Sequence, residues 1–197
     1  MQTWDALRAR RNVRTFAAQP IGTAGATRRV VVGVYIRRAT PKVISGVTIG
    51  GITATQDADK IEALDLNEVA FYSAVVPTGT TADVVVTVTG TGAVRCFIDV
   101  WSLDHGAPVA VAYSAESEPG SFTIATQVGD FVVAAVGAQA SGATTWTGAT
   151  ERYDTLGTGT SRHTAADTVA VGASTVIDFD FVGTLTNTIA GAAVAYR

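Results

Sequence analysis

Residues 80–103, TTADVVVTVTGTGAVRCFIDVWSL, decide how the rest of the chain is read. Val84, Val86 and Val88 fall at every second position on one side of Gly90-Thr91-Gly92, and Val94, Cys96, Ile98 and Val100 do so on the other. Successive side chains of a strand point to opposite faces, so each set lies on one face of an extended segment. The pattern predicts two long strands joined at the glycines as a β-hairpin, because a short connection needs positive φ and Val, Thr, Ile, Phe and Trp pack well on a pleated surface. That hairpin is expected in the middle of a sandwich.

Working outward, the same signals recur. RRVVVGVYIRR places Val30, Val32, Val34 and Ile36 on one face, VISGVTIGGITATQ reads as a short hairpin about Gly50-Gly51, and VAFYSAVV is a strand closed by Pro77-Thr78-Gly79. DADKIEALDLNE reads as an exposed loop or a single helical turn. Beyond Asp104-His105-Gly106, VAVAYSA and SFTIATQ flank the turn Glu118-Pro119-Gly120. FVVAAVGAQA is a strand whose small residues allow another layer to come close. TTWTGATERYD leads into a surface corner, TLGTGTSRHTAAD is a long polar connection, and TIAGAAVAYR closes the chain. STVIDFDF alternates most cleanly, with Ile177, Phe179 and Phe181 inward and Asp178 and Asp180 outward. The expectation is an all-β fold, a two-sheet sandwich of jelly-roll or immunoglobulin-like kind, with an N-terminal extended or short-helical arm.

Twenty glycines with few good helix formers agree with the all-β class, and 197 residues suffice for one sizeable core. The division expected is an arm over 1–27 and a sandwich domain over 28–197. Cys96 is the single cysteine and is expected as a buried small hydrophobe. The longest apolar run, Val30 to Ile36, is too short to span a bilayer, and the first residues lack the apolar stretch of a secretory signal, so a cytoplasmically made, non-membrane protein is expected.

The formal net charge of −3 is unevenly spread: residues 1–38 hold eight of the fourteen Lys and Arg against one acid, Asp5, a net +7, leaving −10 on the remainder. A basic arm on an acidic body suggests docking on an acidic partner; nucleic acid would also suit such charge but is the less expected partner. Thr3 is placed to cap a short helix with Asp5 in its first turn. Trp4, Leu7, Val13 and Phe16 are the expected apolar anchors, with Arg8, Arg10, Arg11 and Arg14 as electrostatic partners.

Chemistry is sparse in the pattern. Only His105 and His163 offer imidazole, in neither a metalloprotease nor a serine-hydrolase arrangement, so a non-enzymatic chain without catalytic residues, cofactor or metal is expected. Asp57 with Asp59 and Asp178 with Asp180 are spaced to share a calcium ion, but read better as solvent-face acids that discourage edge pairing. Trp146, Glu151, Arg152, Tyr153 and His163 form the one candidate glycan-binding cluster, since aromatic rings stack on sugar faces and charged groups bond hydroxyls.

Two resemblances follow from these residues. The opening WDALRARRNVRTFAAQPI resembles the start of nitroreductase-family flavoproteins, with Arg10, Arg11, Asn12, Arg14 and Phe16 matching a flavin-phosphate motif. The chain then continues into strands rather than that family's helical fold, and the flavin reading is rejected. The order VTIGGITAT, VPTGTTADVVVTV, VRCFIDVWSL, TWTGATERYD and SRHTAAD over 28–197 resembles virion-associated β-sandwich proteins of tailed bacteriophages and gene transfer agents. That resemblance implies a structural protein on the virion surface, as capsid decoration (cement) protein, head fibre or spike, or tail-fibre module. The partners it implies are a major capsid protein or other virion protein, further copies of the chain as a homo-oligomer such as a trimer, and, in the glycan alternative, a cell-surface sugar.

Overall fold

The computed structural model describes residues 3–5, 12–38, 43–64, 66–90, 94–157, 160–185 and 188–197. The first half contains β1 (Thr3–Asp5), β2 (Val13–Pro20), β3 (Arg29–Arg38), β4 (Ile44–Ile49), β5 (Ile52–Thr53), β6 (Thr55–Ile61), β7 (Asn67–Val75), β8 (Thr81–Val88) and β9 (Val94–Leu103). The second contains β10 (Pro108–Tyr113), β11 (Gly120–Ala125), β12 (Phe131–Gln139), β13 (Thr144–Thr147), β14 (Thr150–Leu156), β15 (Ser161–Val169), β16 (Ser174–Phe181) and β17 (Ala190–Tyr196). All named pairings are antiparallel, and they make four sheets: an outer one β2-β8-β4-β5, an inner one β1-β9-β3-β7-β6, a second inner one β10-β17-β12-β15-β14, and a second outer one β11-β16-β13. The chain is therefore all-β, but with four layers rather than the two sheets expected.

The two halves are one topology used twice. In each inner sheet the strand order is the same once β1, β9, β3, β7 and β6 are matched to β10, β17, β12, β15 and β14, and the outer orders β2-β8-β4 and β11-β16-β13 match likewise. Even a register irregularity repeats: β6 slips against β7 between Gln56 and Ala58, and β14 slips against β15 between Glu151 and Tyr153. Asp57 and Arg152 are thus corresponding bulge residues. β5 has no counterpart among the named strands of the second half.

Residues 80–103 depart from the hairpin expectation. β8 pairs with β2 and β4 in the outer sheet, while β9 pairs with β1 and β3 in the inner one. The two strands face each other across a core instead of sharing a ladder. Both apolar faces are still used, with Val84, Val86 and Val88 meeting Cys96 and Ile98 in one buried cluster, so alternation was satisfied by arching over the core. Cys96 is buried there, as expected. The hairpin about Gly50-Gly51 is present: Ile49 pairs with Ile52, and φ values of 59° and 80° at the two glycines are those of a two-residue connection with both central residues left-handed.

The segment 12–27 belongs to the body and is not a detached arm. β2 pairs along β8, and Phe16 and Ile21 are 3% and 1% exposed in the first core. The Arg28 side chain, 1% exposed, closes this region by donating to four backbone carbonyls. Nε reaches Val76 O at 2.8 Å, Nη1 reaches Gly22 O at 2.9 Å and Gly79 O at 2.8 Å, and Nη2 reaches Thr78 O at 2.7 Å. Five donors in a rigid fork suit it to such a staple. At the start of the chain Thr3–Asp5 is a strand paired to β9, not the opening of a helix, while Leu7, Arg8, Arg10 and Arg11 lie outside the described residues.

Three cores follow from four layers. Val30, Val32, Val34 and Ile36 fill the first with β8 and β9, Ile177, Phe179 and Phe181 fill the last with β12, and a middle one lies between the inner sheets. In the middle seam β9 lies against β15, β3 against β12, and β7 against β17, an arrangement that exchanges corresponding strands and so has a pseudo-two-fold axis. Tyr35, Phe71, Phe97 and Trp101 of the first half share this core with Ala135, Ala165, Ala190 and Ala192 of the second, which also contributes Tyr196. Gly137 is the tightest point, since a Cβ there would lie 2.2 Å from the Tyr35 ring. The Tyr35 hydroxyl sits 2.8 Å from Asn67 Oδ1 and 3.1 Å from the Ala138 carbonyl, fastening the halves together.

Two further expectations are corrected by burial. Ser161–Val169, read as part of a polar connection, is the inner strand β15, almost wholly buried because its polar side chains find partners across the seam or in its own sheet. Residues 57–61, the start of the stretch read as loop or turn, lie in the edge strand β6.

A polar cavity in the seam as the candidate functional site

Asp99, on β9, projects from an otherwise apolar face between Phe97 and Trp101 into the seam. Gly33 lies directly across the ladder, and a Cβ there would come within 3.3 Å of both Asp99 Oδ2 and the Trp101 ring. Asp99 Oδ2 is 2.9 Å from Nε2 of His163, on β15, and both side chains are buried. The other ring nitrogen, Nδ1, lies 3.2 Å from the Val136 carbonyl, which can only accept. The tautomer that carries its proton on Nδ1 donates to that carbonyl and presents Nε2 to Asp99. Burial raises the Asp99 pKa, and the adjacent imidazole opposes that rise. Tyr35, Phe97 and Tyr153 enclose the imidazole, with ring centroids 5.3, 5.9 and 5.2 Å away.

Beside this pair is a cavity of about 360 Å³, lined by Asp99, Trp101, Ser102, Arg152, Tyr153 and Asp167 among others. Asp167 is held by three donors: Trp101 Nε1 at 3.0 Å, and Arg152 through Nε and Nη2 at 2.6 Å each. The Arg152 side chain remains 53% exposed at the mouth. Two polar atoms of these residues, Asp99 Oδ1 and the Tyr153 hydroxyl, are buried away from the open space and make no hydrogen bond among the described residues. Burial raises the Tyr153 pKa well above its ordinary value, and the Asp99 charge adds to that effect. A larger hollow of about 500 Å³ adjoins at Ser102, but there Asp130 is fully engaged, by the Arg197 guanidinium and the Gln127 amide.

The five residues expected to bind glycan do not converge. Trp146 packs on Phe179 with ring centroids 5.7 Å apart and donates from Nε1 to Thr164 Oγ1 at 2.8 Å, in the outer core of the second half. His163 is on the opposite face of the same inner sheet, fully buried with both nitrogens committed. Glu151 is exposed on β14, and only Arg152 and Tyr153 reach the cavity. Sequence reading missed Asp99, Trp101 and Asp167. The signal that could have found Asp99 was a carboxylate alternating with Phe97 and Trp101 on a strand face where solvent-facing polar residues were expected.

The acid pairs also separate. Asp178 and Asp180 are exposed, as expected. The bulge at Asp57 turns it toward the seam, where it accepts from the Tyr196 hydroxyl at 2.7 Å, whereas Asp59 faces the first core beside Glu68. Of the expected arm contacts, Val13 is exposed, but Arg14 is buried, donating to the Val94 carbonyl at 3.3 Å, and Phe16 is a core residue. No protein-family model, curated protein or solved structure matches the chain.

Proposed function

We propose that the chain is a non-enzymatic structural component of a phage or phage-like particle, displayed on the capsid or head surface and held there by its first residues. The observation that supports this best is mechanical. Two copies of one sandwich topology are fused back to back through a buried apolar cluster, giving one four-layer body. The resemblance of residues 28–197 to virion-associated sandwiches supports the location. Because Arg14 and Phe16 are engaged inside the body, the docking role falls on the residues before β2. Trp4, Leu7, Arg8, Arg10 and Arg11 supply apolar anchors and positive charge for an acidic coat surface.

The test is particle binding by the triple variant Arg8→Glu, Arg10→Glu, Arg11→Glu, alongside a chain beginning at Asn12. Both should keep the wild-type folded spectrum and fail to co-sediment with particles. Undiminished co-sedimentation of either variant would refute the docking role.

A further inference from the structure

We propose that the free edge of β10 is a self-association surface, through which two copies of the chain pair β10 to β10, antiparallel, about a two-fold axis. This inference rests on the edge strands and not on the particle assignment, so failure of either leaves the other standing.

β10 ends the second inner sheet on one side and pairs, among the described strands, with β17 alone. Its sequence, PVAVAY, carries no charge. Ala110 and Ala112 lean on the last core, while Val111 and Tyr113 stand on the other face of the strand, opposite Val194 and Ala192. Val109, at the register irregularity before them, is 45% exposed, Val111 is 39% exposed and Tyr113 49%. The other ends of the inner sheets are built differently. β6 carries Asp57, Asp59 and Lys60, β14 carries Glu151, Arg152 and Asp154, and both are bulged, whereas β1 is three residues long. Charge, bulges and shortness are the usual means of keeping an edge strand from pairing with another chain. In β10 Pro108 and the irregularity lie at the start only, and residues 110–113 form a regular, uncharged edge.

The edge suits a second copy of itself. A two-fold axis perpendicular to the sheet reverses the strand and keeps its faces, so Val111 and Tyr113 of one copy meet the same apolar face of the other, and no charge on β10 is set against its like. β6 lies at the same side of the body. Asp57 accepts from the Tyr196 hydroxyl, and Tyr196 pairs with Pro108 at one end of β10; Lys60 bonds Glu116, just past the other end, at 2.9 Å. β6 and β10 therefore run the same way, and the axis that reverses one reverses both. It turns Asp57 of each copy towards Lys60 of the other rather than towards its own like. Pairing would give the backbone groups along residues 110–113 ladder partners and cover three apolar side chains per copy, with Tyr113 supplying the amphipathic ring favoured at such contacts.

The test is sedimentation velocity on the full-length chain across a range of concentrations, with amide hydrogen exchange measured on the same samples. The chain should convert reversibly to a species of twice its mass, and exchange within residues 110–113 should slow as that species fills. The double variant Val111→Lys, Tyr113→Lys changes two exposed side chains, so it should keep the wild-type circular dichroism spectrum and weaken association at least about tenfold. Val171→Lys, at a valine 89% exposed between β15 and β16, should leave association unchanged. The proposal is overturned if the chain sediments as a monomer throughout, if it forms a trimer, which two-fold pairing cannot build, or if the double variant associates as tightly as the wild type. Should the double variant fail to fold, the wild-type exchange data decide: rates in residues 110–113 that do not depend on concentration overturn it.

Discussion

Glu68 should make the protein less stable as pH rises through neutrality. Its carboxylate is buried at the start of β7, accepts from the Ile44 amide at 3.0 Å and from Arg38 Nη1 at 2.6 Å, and shares its site with the Asp59 carboxyl. Two carboxyls and one guanidinium balance only if one proton is retained. Desolvation is the largest cause and the Asp59 charge adds to it, together raising Glu68 to about 7 against the opposing pull of the Ile44 amide and Arg38. The folded state then binds a proton that the unfolded chain has released above about 4.5. The stabilisation is fully present below the unfolded value and is lost as pH rises through the folded one, at a slope of about 1.4 kcal/mol per pH unit. Between pH 5 and 8 the loss from this site comes to about 3 kcal/mol. Asp57, Asp59 and Asp99 are also raised and act in the same sense, so the informative quantity is the difference between the wild type and Glu68→Gln. Urea unfolding at pH 5, 6, 7 and 8 gives that difference directly. The wild-type advantage should shrink steadily with pH; parallel stability profiles for the two proteins would refute the shared-proton account.

Two further perturbations test the architecture. Phe16→Ala should cost about 3–5 kcal/mol in unfolding free energy, as for a buried aromatic, whereas a residue on a detached arm would leave the urea midpoint unchanged. Gly137→Val drives a side chain into the Tyr35 ring and should cost at least ~2 kcal/mol and broaden the Tyr35 and His163 ring signals, while Gly46→Ala, where a Cβ meets no atom within 4 Å, should change neither.

The strand class and most strand positions were legible because alternation is a local property, and STVIDFDF is the clearest case, with Ile177, Phe179 and Phe181 buried and the acids between them exposed. Partner choice was legible at the Gly50-Gly51 hairpin but not at residues 80–103. Residues 80–103 alternate identically whether β8 and β9 share a ladder or arch over a core, and only long-range pairing with β2, β3 and β4 decides it. The duplication was hidden because corresponding seam positions carry complementary sizes, such as Tyr35 against Gly137, rather than similar residues. β15 was misread for a related reason: Arg162, His163, Thr164 and Asp167 look solvent-facing until Asp154, Asp99, Trp146 and Arg152 are brought to them from elsewhere in the chain. The candidate site inherits that difficulty. Trp101 and Asp167 meet across 66 residues of sequence, and no local motif marks the pair.

The most direct test of the functional account is quantitative mass spectrometry on the sedimenting particle fraction of the source culture. Co-sedimentation with capsid and tail proteins at a fixed copy number is the expected result, with a high number indicating a capsid decoration and a low one a fibre. Recovery of the chain only in the unsedimented fraction would contradict the assignment to a particle.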